Sequence, residues 1–236
     1  MWVISLPQFI HNARQFYDHY HRSGSTILCG VVGGQRTWVQ VFCNGGVAAG
    51  WALGYLALRG PGERPVDFST DPLGSWLVLA VLSSVASACG DTWASELGSV
   101  ASPAAPRLLT TLEPVPRGTN GGVSLAGLAF SALGGLTVGA SHYAVLCLAG
   151  VAPASQCWLV GMGTLAGLLG SLVDSLLGAT LQFSGVETKT GRVVDRPGPG
   201  VRWVCGRALL DNHAVNLVSS AITSVLVPCL AASFYS

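Results

Sequence analysis

Four carboxylates stand where a hydrophobic chain has least reason to keep them. Asp91 and Glu96 lie in Gly90-Asp-Thr-Trp-Ala-Ser-Glu96-Leu-Gly98, directly after the apolar run Leu73 to Cys89. Asp174 sits inside the apolar run Trp158–Leu181, and Asp211 stands just before His213–Ala232. At a bilayer centre an acidic residue costs roughly 2.5–3.5 kcal/mol on insertion scales, and less near the interface. Asp91 and Glu96 are five residues apart, about 140° around an α-helix, so they share a face only if the helix ends between them. Taken alone they read as solvated caps at a helix end. Asp174 alone reads as a polar tie between helices, and Asn212 and Asn216 as interhelical hydrogen-bonding residues.

A second pattern lies in Pro116-Arg117-Gly118-Thr119-Asn120-Gly121-Gly122, ahead of the apolar run from Val123. Glycine and asparagine here fit a turn that needs positive φ. The same segment at a helix N-terminus offers free N–H groups and a positive dipole end, which together suit an anion. Read as one group, the carboxylates suit a hard cation, the N–H nest suits phosphate, and Arg117, Lys189 and Arg207 supply positive charge. Mg²⁺ is usually held by one or two carboxylates plus substrate phosphates, and phosphoryl transfer needs mainly positioning and charge neutralisation. No Walker A sequence and no kinase glycine-rich loop is present. The three histidines in 11–21 read as titrating groups at a headgroup surface rather than metal ligands. The seven cysteines show no CxxC and no metal spacing.

The elements that must position these groups are membrane helices. Of 236 residues half are hydrophobic and only 10% are charged, against about 25% in a soluble domain, and the mean hydropathy is +0.53. The fold class is all-α, a polytopic membrane bundle. Spans are expected at about 38–58, 73–91, 123–143, 158–181 and 213–232, with polar connections at 59–72, 92–122 and 182–212. Apolar character continues from the third span to Val151; the stretch fits one tilted helix or a helix plus an interfacial piece, and the charge asymmetry of the loops argues for a single span. Residues 1–33 form an atypical N-terminal segment, with no basic region of a signal peptide. Within it Phe9, Ala13, Phe16 and Tyr20 fall on one face, the pattern of an amphipathic interfacial helix. Residues 34–236 form the membrane domain.

Charge sets the expected orientation. Ten of the twelve basic residues fall in 1–37, 92–122 and 182–212, and only Arg59 and Arg64 fall on the other side. The positive-inside rule then places the first set in the cytosol. All the unusual polar groups share that face. On the fourth span Gly163, Gly167, Gly170, Asp174 and Gly178 repeat at close-packing intervals. Ala80, Ser84, Ser87 and Asp91 make a similar stripe on the second span, as do Asn212, Asn216, Ser219 and Thr223 on the fifth. The far half of the bundle is mostly apolar (Leu77–Leu82, Val225–Leu230), which argues against a complete transport path.

Gly90–Glu96, Gly118-Thr-Asn-Gly-Gly-Val-Ser124, Gly170-Ser-Leu-Val-Asp-Ser-Leu-Leu-Gly-Ala179 with Gln182, and Asp211-Asn-His-Ala-Val-Asn216 resemble the "domain of unknown function 92" family, whose animal branch is the transmembrane protein 19 family. Gln35–Gly46 and Gly60-Pro-Gly-Glu63 resemble the animal branch in particular. The likeness covers about residues 34–233. In the family pattern further hydrophobic spans and a basic stretch stand upstream of Gln35–Arg36; here residues 1–33 replace them. The resemblance implies a polytopic helical protein related to a plant phytyl-phosphate kinase, which makes phytyl diphosphate from a nucleoside triphosphate.

Carried onto this chain, the resemblance and the chemistry together give a set of expectations. Asp91, Asp174 and Asp211 are catalytic candidates, and Asp91, Glu96 and Asp174 are Mg²⁺ candidates. Arg117, Gly118, Thr119, Asn120, Gly121, Gly122, Lys189 and Arg207 are phosphate-binding candidates. Ser95, Gln182, Asn212 and Asn216 line a polar pocket. The expected function is Mg²⁺-dependent phosphorylation of an isoprenoid monophosphate at the cytosolic face of an endomembrane such as the endoplasmic reticulum. Membrane lipids are the expected partners, with no nucleic acid. A small-molecule transporter and a catalytically silent structural membrane protein are the alternatives.

Overall fold

The structure, a computed structural model, describes residues 38–151 and 154–234. The expected N-terminal amphipathic helix and the histidines of 11–21 lie outside the described residues. Among the described residues five helices are long and apolar enough to cross a membrane: α1 (Trp38–Arg59), α2 (Pro72–Trp93), α3 (Leu125–Leu148), α4 (Trp158–Leu181) and α5 (Asn212–Ser233). The stretch from Val123 to Val151 contains one helix, as expected.

α2 is the central helix and packs against all four others. Its start follows from its sequence: Asp71 caps it by accepting from the Gly74 N–H at 2.9 Å, and Pro72 needs no donor in the first turn. The Arg59 guanidinium, from the end of α1, lies on the same carboxylate at 2.8 Å and holds Asp71 below the usual carboxylate range. On the same side, the Gln156 side-chain amide pairs with both the N–H and the C=O of Val66, each at 3.0 Å, closing the long loop over the bundle end.

The end of α2 departs from the expected polar connection at 92–122. The helix continues past Trp93 through a π-helical turn, Ala94–Gly98, and a last turn to Ala101. Packing explains the extension. Gly98 lies directly on Gly127 of α3, where a Cβ would come within 2.5 Å of the Gly127 Cα. The final carbonyls then find a donor in Arg117, which reaches Ser99 O at 3.1 Å, Ser102 O at 2.6 Å and Pro103 O at 3.2 Å.

Glycines set the spacing of the helices. Gly163 and Gly167 of α4 face Gly135 and Gly139 of α3 backbone to backbone, and Gly90 of α2 meets Gly167. Without side chains to separate them, helices in lipid gain dispersion contacts at short range. α1 is the outermost helix, exposing Val41, Phe42, Leu53, Leu56 and Leu58. It is tied to the bundle by its Trp51, which donates to Ser224 Oγ of α5 at 2.9 Å and meets Trp76 of α2 edge to face, with ring centroids 5.1 Å apart.

Five short strands add to the helical class, in segments expected to be polar connections. β1 (Arg107–Leu108) pairs antiparallel with β2 (Gly122–Val123). β3 (Ser184–Glu187) is the middle strand between β4 (Val193–Val194) and β5 (Val201–Cys205). Both sheets lie at the membrane face where α2 and α4 end and α3 and α5 begin, called here the sheet-bearing face.

Candidate functional site

Asp174 is the best-connected of the expected residues. Ser219, on α5, donates to its Oδ2 at 3.2 Å. Asn216, one turn earlier on α5, sits between Asp174 Oδ2 and the amide of Asn44 on α1, 3.1 Å from each. An ionised carboxylate accepts and cannot donate. That assigns the Asn216 Nδ2 to Asp174 and to the Asn212 carbonyl, also at 3.1 Å, and turns its Oδ1 to Asn44.

Asp91 faces Asp174 from α2, near enough for the two carboxylates to act on each other, and interacts with the Ser171 hydroxyl of α4. A polar chain therefore runs through four helices, from Asn44 through Asn216 to Asp174 and across to Asp91. Two like charges this close in a low dielectric repel, and a cation or a shared proton between them removes the repulsion. Their donor set is all oxygen, two carboxylates with serine hydroxyls beside them, which fits a hard divalent ion completed by phosphate oxygens.

The extension of α2 changes how Asp91 is read. At 1.5 Å per residue Asp91 lies about 15 Å before the end of its helix, Asp174 about 10 Å before the end of α4, and Asn216 about 6 Å after the start of α5. Asp91 is thus a helix-interior group rather than a solvated cap. Glu96 is exposed on the π-helical turn. Among the described residues no three of His, Cys, Asp and Glu gather into a metal-holding group. The expected set Asp91–Glu96–Asp174 is therefore not assembled, and Asp91 and Asp174 stand as a pair.

The expected phosphate nest is a clasp. Gly118 and Gly121 do take positive φ, as a turn requires. Three of the loop's N–H groups, however, are spent within the fold: Thr119 N donates to Pro116 O at 3.2 Å, Asn120 N to Ser184 Oγ at 3.0 Å, and Gly122 N to Thr119 O at 3.1 Å. The Asn120 side chain holds Phe183 O at 3.1 Å, and Thr119 Oγ1 donates to Pro116 O at 2.7 Å. Gly121 presses on α4, where a Cβ would meet Ala179 at 2.5 Å. The segment fastens the β1–β2 loop to α4 and β3.

Other candidates have local duties. Arg117 closes the end of the α2 extension. Asp211 caps α5 by accepting from the Ala214 N–H at 2.8 Å. Ser95 donates to Thr92 O at 3.1 Å. Gln182 is buried, with its carbonyl against Gly206. Asn212 is exposed, and Lys189 and Arg207 are exposed on the sheet-bearing face. Three polar partners of the pair fell outside the expected site: Asn44, Ser171 and Ser219. Each had a signal, as one of the two amides (with Gln40) inside the first apolar run, or as a hydroxyl three residues from Asp174 or Asn216.

A family model described as integral membrane protein DUF92 matches residues 18–224. Protein PGR of Arabidopsis thaliana is 43% identical over 199 residues, covering 82% of this chain and 68% of that protein. An uncharacterized membrane protein of Methanocaldococcus jannaschii is 35% identical over 158 residues, 66% of this chain and 53% of its own length. Another from Synechocystis is 34% identical over 122 residues, 50% of this chain and 42% of its own length. The chain thus spans between 42% and 68% of the length of these relatives. No solved structure matches the chain.

Proposed function

The chain belongs to the DUF92 family of integral membrane proteins, and from that premise we propose that it is a Mg²⁺-dependent phosphotransferase acting on an isoprenoid, phytyl-like monophosphate at the sheet-bearing face. In the proposed reaction an oxygen of the lipid monophosphate bonds to the terminal phosphorus of a nucleoside triphosphate. The bridging P–O bond breaks, and a lipid diphosphate and a nucleoside diphosphate leave. The sheet-bearing face is the cytosolic one of an endomembrane such as the endoplasmic reticulum, in keeping with its share of the basic residues.

The observation that carries the reading is the Asp91–Asp174 pair, brought together across α2 and α4. Mg²⁺ held by these two carboxylates supplies neutralisation of phosphate charge. The chain's own groups do the rest. Ser219 and Asn216 orient Asp174, and Ser171 interacts with Asp91. Lys189, Arg192, Arg202 and Arg207, exposed on the same face, draw in anionic substrate. The 118–122 loop takes no phosphate in this reading, since the Thr119, Asn120 and Gly122 amides are committed elsewhere.

A complete transport path is less well supported. Buried hydroxyls of Ser83, Ser84, Ser220 and Thr223 extend polarity toward the middle of the bundle. Beyond them Leu79, Leu82, Leu146 and Leu159 pack with Val66 and Phe68 of the opposite loop into an apolar plug.

The test uses purified protein in lipid nanodiscs with Mg²⁺, phytyl or geranylgeranyl monophosphate and each of the four nucleoside triphosphates. Wild type is expected to form lipid diphosphate, and Asp91→Asn and Asp174→Asn are each expected to lose at least about 100-fold in turnover, the scale of one lost electrostatic stabiliser, while still inserting. No diphosphate from wild type, or undiminished turnover in both variants, overturns the proposal.

A further inference from the structure

The sheet-bearing face holds a cavity of about 420 Å³, within the range of about 300–1,000 Å³ typical of small-molecule sites. Thr110, Thr111 and Glu113 of the loop between β1 and β2 line it together with Arg202 and Trp203 of β5, and Ala179 of α4 also contributes. None of the five residues from the loop and β5 belongs to the carboxylate site.

The β5 wall has an unusual construction. Arg202, Trp203, Val204 and Cys205 of β5, with Gly206 after it, form one continuous wall of the cavity. β5 carries a bulge just beyond the Arg202–Trp203 pair: Ser184 pairs with Cys205 but Gly185 with Trp203, so Val204 is an additional residue. Such bulges re-aim side chains and recur beside functional sites. Trp203 is held by its indole N–H, which donates to Gly206 O at 2.9 Å, and its ring stays 63% exposed. The result is a fixed, uncovered aromatic surface with a guanidinium next to it in sequence and a carboxylate and two hydroxyls in the same cavity.

That set matches a nucleotide. A heteroaromatic base stacks on an indole, a guanidinium pairs with phosphate, and a carboxylate and hydroxyls accept from base N–H groups or a ribose. Ala179 is five residues beyond Asp174 on α4, about 7.5 Å along the axis. Ala179 also lies about 140° around α4 from Asp174, so a triphosphate whose base sits in the cavity has to span that part of the α4 end to reach the carboxylate pair. We propose that this cavity docks the base and ribose of the nucleoside triphosphate, with Trp203 as the stacking platform and Arg202 as the first phosphate contact. The inference rests on the reading of the chain as a phosphotransferase.

Calorimetric titration of the full chain in nanodiscs with Mg²⁺ tests it, using ATP, CTP, GTP and UTP separately and inorganic triphosphate as the probe without a base. At least one nucleotide is expected to bind. Trp203→Ala should weaken that binding about 10-fold or more, as loss of one base stack does, Trp203→Phe should stay within about 3-fold because a ring remains, and Arg202→Gln should weaken it about 5- to 10-fold. Inorganic triphosphate should bind wild type and Trp203→Ala alike. Failure of all four nucleotides to bind overturns the inference, as does unchanged binding in both Trp203→Ala and Arg202→Gln; the latter would assign Trp203 to the headgroup belt instead. Base-dependent binding without lipid-phosphate turnover leaves the cavity assignment standing and removes the phosphotransferase reading. Turnover with an unchanged nucleotide KM in Trp203→Ala removes only the cavity assignment.

Discussion

Replacing Gly167 by alanine tests whether the glycine seam positions the carboxylates. A Cβ at 167 would lie 2.5 Å from the Ser131 carbonyl oxygen, 2.8 Å from the Gly135 Cα and 2.9 Å from the Gly135 nitrogen. All three are backbone atoms of α3, so none can rotate away. Ordinary contact begins at 3.4 Å, so α4 must retreat from α3 by about 1 Å, and overpacking of this kind costs about 1–3 kcal/mol. For a chain of this length that corresponds to a drop of about 2–10 °C in Tm. Gly161, on the same helix, has nothing within 4 Å of its would-be Cβ. Gly161→Ala should hold or raise Tm, because alanine is the better helix former by about 1 kcal/mol. The assay is intrinsic tryptophan fluorescence during heating in one detergent. Opposite signs for the two substitutions are expected, with turnover of Gly167→Ala falling beyond the stability loss, since Asp174 lies two turns further along the displaced helix. A Gly167→Ala protein as stable as wild type, or an equal loss in Gly161→Ala, would refute the reasoning.

Arg117→Gln removes a charged donor from the three carbonyls at the end of the α2 extension, and hydrogen bonds to charged groups contribute about 1.5–3 kcal/mol each at most. Its Tm should fall by several degrees, roughly as such a loss implies, with the nucleotide KM unchanged. A raised KM at unchanged Tm would make Arg117 a phosphate ligand after all. Thiol labelling probes the sheet-bearing face separately. Cys205 is buried, donates to the Asn120 carbonyl at 3.4 Å, and has its thiol pKa pushed up by that burial. Since the thiolate is the reactive form, single-cysteine protein carrying Cys205 should stay unlabelled by maleimide at pH 7 until denatured, whereas the exposed Cys157 reacts in the folded state. Fast labelling of Cys205 in folded protein would contradict the packing of β5 against the 118–122 loop.

The expected phosphate residues show where sequence reasoning stops. Gly118-Thr-Asn-Gly-Gly was legible as a turn, because positive φ at Gly118 and Gly121 is a local property of the chain. Whether its N–H groups stay free depends on Ser184, 64 residues away from Asn120. Arg117 read as a spare cation, yet its carbonyl partners include Ser99, 18 residues earlier, on a helical turn that was expected to be loop. Asp211 read from sequence as a catalytic candidate, and its bond to Ala214 makes it the N-cap of α5.

The sequence by itself determined the five helices, their order across the membrane and the collection of polar groups at one face. Each of those follows from contiguous hydropathy, local caps and the alternation of direction that a chain crossing a bilayer must obey. Tertiary structure decided which polar groups meet. Asn44 and Asn216 are 172 residues apart and touch only because α1 packs on α5. Asp91 became an interior residue because Gly98 found Gly127 and drew the helix on to Ala101. Contacts between distant segments depend on how closely backbones approach, and in this bundle that distance is set by glycines facing one another across helices.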